Sequence, residues 1–135
     1  MGKSLIQVAN PSSQTVAVGS IISLGSVQRR YGCNLRLSGN AIEMGGEGYY
    51  AVDCSVTLVP SAVGAVSIAL YENGVAVPGA TATGAVSTVG NSVTLPIMTT
   101  LRRACGCCED VDNLTFVLTS GASTITNVSA RVEKL

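Results

Sequence analysis

From Gly48 the chain reads GYYAVDCSVTLVP, and the side chains sort by twos. Tyr50, Val52, Cys54, Val56 and Leu58 fall on one side of an extended chain, while Tyr49, Ala51, Asp53, Ser55 and Thr57 fall on the other. A period of two fits a half-buried strand and scatters over the surface of a helix, so this stretch can be stable only as part of a sheet. The next stretch, GAVSIALYENGVAVPGA, repeats the pattern: Val66, Ile68 and Leu70 alternate with Ser67, Ala69 and Tyr71. It then reaches Asn73-Gly74, the strongest short signal for a two-residue hairpin, because both central positions of that turn need positive φ. Pro78-Gly79 is expected to end the return strand.

The same reading covers Ser92 to Met98, Asn113 to Thr119 and Ser123 to Glu133, with shorter strands over Thr15 to Leu24, Asn34 to Leu37 and Ala41 to Met44. No segment supports a helix; Thr100 to Asp112 carries Gly106 and three cysteines, poor helix formers. About eight strands without helices predict an all-β sandwich or barrel. The chain of 135 residues suits one globular domain. Within it, residues 1–25 are expected to form an N-terminal strand or docking segment ahead of a head spanning residues 26–135. The glycine-bounded stretch from Gly79 to Gly90 reads as a strand with loose edges and not as a linker.

Charge and chemistry narrow the function. Charged residues make up 12% of the chain and cancel to a net charge of zero, so the basic stripe expected of a nucleic-acid binder is missing. No apolar run reaches the ~18 residues of a membrane span, and the start of the chain lacks the apolar core of a signal peptide. Histidine, the usual proton shuttle at neutral pH, is absent. No nucleophile elbow or phosphate-cradling loop occurs. Glu109, Asp110 and Asp112 read as a solvated loop, too short in alternating oxygen ligands for calcium. The expectation is a protein that is not an enzyme and takes no cofactor, nucleic acid or membrane.

Three segments in order, GYYAVDCSVTL (48–58), VSIALYENGVAVPGA (66–80) and STITNVSARVEKL (123–135), resemble the globular heads of tumour-necrosis-factor-like and complement proteins. The combination of NGVAVPGA, TLPI, a cysteine-bearing loop, LTFVLTSGA and NVSARVEKL is, more closely, similar to small phage or prophage proteins of gut Firmicutes. The resemblance implies a jelly-roll sandwich of about eight to ten antiparallel strands, a homotrimer, and a place on a particle surface. It implies further that the protein is made in the host cytoplasm and joins a virion beside capsid or other virion proteins. A collagen-like stalk ahead of the head is lacking, which favours a self-contained virion component over a stalked host-surface protein.

The residues themselves also point to an oligomer. Strands apolar on both faces are normally covered on both faces. Tyr49 and Ala51, and in the next strand Ala69 and Tyr71, lie opposite the core-facing positions and are the expected trimer-interface residues. Cys105, Cys107 and Cys108, in RRACGCCED, admit three readings. Zinc wants four thiolate or imidazole ligands, commonly as two Cys-x-x-Cys pairs, and this chain offers Cys-x-Cys-Cys with no histidine, so no metal is assigned. A vicinal-thiol switch would use Arg102 or Arg103 to lower a thiol pKa. The favoured reading is structural: Cys33 and Cys54 as small buried hydrophobes, and the loop as a thiol cluster or a disulfide within or between subunits. Arg102 and Arg103 are expected at the surface, meeting solvent, a neighbouring subunit or an acidic patch on a capsid. The function expected is therefore a non-enzymatic virion structural protein, a trimeric capsid decoration, head-fibre or fibre-knob protein. The alternative is a receptor- or glycan-binding adhesin head of the same fold.

Overall fold

The alternation over GYYAVDCSVTLVP becomes the longest strand among the described residues, with Tyr50, Val52, Val56 and Leu58 fully buried and Cys54 5% exposed. The computed structural model describes residues 3–103 and 111–135. Eleven strands occur among them: β1 (Leu5–Asn10), β2 (Gln14–Val16), β3 (Ser26–Tyr31), β4 (Leu35–Ser38), β5 (Ala41–Met44), β6 (Gly48–Pro60), β7 (Gly64–Glu72), β8 (Val75–Val86), β9 (Val93–Arg103), β10 (Asp112–Ser120) and β11 (Ser123–Lys134). They form two antiparallel sheets. The first runs β3-β1-β11-β6-β9, with β2 continuing beside β11; the second runs β4-β5-β10-β7-β8.

The sheets face each other across an apolar core. Ile6, Val8, Val52, Val56, Val128 and Val132 from the first sheet meet Ile68, Leu70, Leu114, Phe116 and Leu118 from the second in one cluster. Each fully buried side chain of this size contributes roughly 1.5–3 kcal/mol relative to exposure. The core therefore comes from the inward half of each alternating strand. One buried tyrosine also finds a polar partner: the Tyr50 hydroxyl donates to the Gly45 carbonyl at 2.7 Å.

The Asn73-Gly74 turn forms as the sequence predicts. Both residues have positive φ, 53° and 82°, and Glu72 pairs with Val75 across it. The Asn73 side chain adds a second role by accepting the Asn113 amide at 2.8 Å and donating to the Asp112 carboxylate at 3.0 Å. The hairpin tip is thereby tied to β10.

Two expectations are corrected. Pro78-Gly79 does not end the return strand: β8 runs on to Val86. Between the pairs Tyr71↔Ala76 and Ala69↔Thr81, the lone Leu70 faces Val77 to Ala80, so the proline sits in a bulge. β8 is an edge strand, where a missing amide hydrogen is tolerated. Second, Thr15 to Leu24 is not one strand. β2 stops at Val16, and Gly19, at φ 89°, turns the chain across to the second sheet. There the Gly19 and Ile22 amides donate to the Leu118 and Phe116 carbonyls at 2.7 and 2.8 Å. Leu5–Asn10 forms an inner strand of the first sheet: it pairs with β11 on one side and β3 on the other, with Ile6 and Val8 fully buried.

Candidate functional site

Period two leaves each sheet an outer face. On the first sheet the register lays out rows across the strands. One row reads Tyr31, Leu5, Glu133, Ala51, Thr100, and the next reads Arg29, Gln7, Arg131, Asp53, Met98. Met98 is 80% exposed and Tyr49 54% exposed, high values for large apolar groups on a sheet. In the Met98 row Arg131 donates to Asp53 at 2.7 Å in an exposed ion pair. The third row, Ser26, Ala9, Ser129, Ser55, Pro96, consists of small residues. Gln7, Ser55, Ser129 and the Asp53–Arg131 pair line a shallow depression here, with Cys54 beneath. Burial pushes the Cys54 thiol up to about 12, so it stays protonated and unreactive at neutral pH.

The outer face of the second sheet has another character. Its central row runs Ile21, Val117, Ala69, Thr81, and beside it lie Thr115, Tyr71 and Ala76. None of these side chains carries a charge at neutral pH. Tyr49 and Ala51 thus share the first face and Ala69 and Tyr71 the second; the structure brings together each pair but not the four. Ala69 is itself only 4% exposed.

The adjacent arginines part company in the same way. Arg102 stacks its guanidinium over the Tyr49 ring at 5.9 Å, on the outer face of β9. Arg103, expected at the surface, is 6% exposed and holds Asp112 at 2.9 Å. Alternation along β9 explains the correction, because Leu95, Ile97, Leu101 and Arg103 all turn inward. Three carboxyl and guanidinium groups meet there. Burial raises the pKa of the Asp112 carboxyl, but hydrogen bonds with Asn73, Glu72 and Arg103 outweigh it and hold Asp112 below the usual range. Burial, with the hydrogen bond and charge of Asp112, pushes Glu72 above its usual value.

Cys33, expected buried, is exposed in the turn between β3 and β4. Cys105, Cys107 and Cys108 lie outside the described residues. Among the described residues no three Cys, Asp or Glu side chains gather as metal ligands, and no helix is long and apolar enough to cross a membrane. Sequence reasoning missed the row that joins Met98 to Asp53 and Arg131, since it assigned no pairing to β9 and β11.

The two sheets define the jelly-roll β-sandwich of tumour-necrosis-factor-like and complement globular heads. Similar solved structures include murine APRIL, with a TM-score of 0.75 at 10% identity over 99% of this chain and 100% of that one. The globular domain of zebrafish complement 1qA gives 0.70 at 9% identity, covering 97% and 95%. The vertex protein P5 of PRD1 gives 0.64 at 12% identity, covering 98% and 96%. At these identities the likeness concerns the fold. No family model and no curated protein matches the sequence, so the closer likeness to small phage proteins of gut Firmicutes gains no support.

Proposed function

We propose that this protein is a non-enzymatic structural component of a virion, a homotrimeric capsid decoration, head-fibre or fibre-knob protein. The observation that carries the reading is the outer face of the first sheet, where a row of small residues lies beside exposed Met98 and Tyr49. Such a face lets a second backbone approach closely, and exposed large apolar groups gain by being covered. Tyr49 and Ala51 are its contact residues. Ala69 and Tyr71 belong to a different surface: stacking one sheet face on the opposite face of the next copy would extend a row of subunits instead of closing a ring. The likeness of fold to the PRD1 vertex protein supports a particle setting.

Native mass measurement of the purified chain is the direct test. A trimer at micromolar concentration is expected, and a monomer there would overturn the reading. Copy number then separates the two roles for a trimer. Hundreds of copies per particle fit a decoration protein, while a few fit an adhesin head, the second reading, for which Val75 at the hairpin tip, 70% exposed, offers a contact.

A further inference from the structure

At the sandwich edge formed by β3 and β4 lies a half-enclosed cavity of about 230 Å³ whose walls include Arg30, Asn34, Arg36 and Glu43. We infer that this cavity binds a carboxylate group of a ligand through the two guanidiniums. The placement of Arg30 is unusual. It pairs in register with the fully buried Ile6, which puts it on the core side of its sheet at the open edge. From there its Nε donates to the Leu35 carbonyl of the opposite sheet at 2.6 Å. The bond spans the two sheets and holds the guanidinium at the cavity wall, using one of its five N–H donors.

Arg36 enters from the outer side of β4. Its Nε donates to the Glu43 carboxylate at 2.7 Å, a pair set by their direct register. Among the described residues its fork bonds Glu43 alone, and 68% of the side chain is exposed. Asn34 is fixed between the arginines: its side-chain amide donates to the Gly45 carbonyl at 3.1 Å, and its side-chain oxygen accepts from Ser4 at 3.0 Å. Gly46, at φ 90°, leaves the space that this amide occupies.

Among the described residues, two arginines against one glutamate give the cavity one excess positive charge. A single carboxylate neutralises it, and the planar guanidinium fork matches that group with two parallel hydrogen bonds. Arg36 already bonds the Glu43 carboxylate through its Nε. The volume lies below the range for drug-sized ligands, so the occupant is a small acid or one acidic side chain of a partner protein.

The test uses the full chain with two probes, succinate and a blocked tetra-aspartate peptide, followed by NMR shifts of the Asn34 and Gly45 amides. Saturable shifts with at least one probe are expected. Arg36→Gln should weaken binding at least tenfold, as should Arg30→Lys, which keeps the charge but loses the fork. Arg29→Gln, on the opposite face of the same strand, should leave it unchanged. Equal affinity for both probes points to a small acid, and peptide binding at least tenfold tighter points to an acidic segment of a partner. No saturable shift with either probe, or affinity retained in both cavity variants, would overturn the inference.

Discussion

The two outer faces of this sandwich share one core and one strand periodicity, yet they differ in chemistry. The face over β6, β9 and β11 mixes an exposed ion pair, Asp53–Arg131, with exposed Met98 and Tyr49 and a band of small residues. The face over β7, β8 and β10 presents hydroxyls, Ala69, Val117 and Tyr71 without charge. Alternation tells which side chains leave the core; it says nothing about what they then meet. The difference between the faces can be probed residue by residue.

The largest effect expected is one that ignores the difference. Phe116→Ala empties a position under both faces and should cost about 3–5 kcal/mol in denaturant unfolding. A cost under about 1 kcal/mol would mean the two sheets are not packed as described. Next comes the buried pair: Asp112→Ala removes the carboxylate that Arg103 holds at 2.9 Å and that Asn73 bonds, and should cost about 3 kcal/mol. The exposed pair on the first face should behave otherwise, with Asp53→Ala costing no more than about 1 kcal/mol in the isolated subunit. Equal losses at the two sites would erase the distinction between them.

Assembly sharpens the comparison. Met98→Glu sets a second carboxylate across from Asp53 and should weaken the trimer at least tenfold by sedimentation, while Thr115→Glu on the other face should not change it. The reverse result would move the subunit contact to the second sheet. The smallest effect concerns pH. Asp112 has a lowered pKa, so its contribution is present above its unfolded value and fades as pH falls through that value toward the folded one. Glu72 has a raised pKa, so stability is lost as pH climbs from its unfolded to its folded value. Melting temperature should thus fall on the acid side, and Glu72→Gln should remove the decline above its unfolded value. An unchanged profile in that variant would show that Glu72 is not the group responsible.

Much of this was legible in the chain. Period two identified β6, β7, β10 and β11, and Asn73-Gly74 identified the turn. What escaped notice depended on neighbours. β3 reads SVQRRY and is exposed along its length; only pairing to Ile6 reveals that Arg30 lies on the core side. Arg103 was assigned to the surface because the strand was ended at Met98. Following Leu95, Ile97 and Leu101 by twos would have carried the inward face to it. The crossing from β2 to β10 follows no period at all, since its hydrogen bonds go to a strand about a hundred residues further on. The faces were the least readable, because a row across five strands draws on residues distant in the chain.

The first and last strands lie side by side, Leu5 opposite Glu133, and the Lys134 amide donates to the Ser4 carbonyl at 2.8 Å. Anything fused to one end therefore emerges next to whatever is attached to the other. A short loop joining Ser4 to Lys134, with new ends cut at Ser61 to Val63 between β6 and β7, should yield a permuted chain with the same pairing. Cargo displayed on such a molecule would then leave from the pole opposite Ser4 and Lys134.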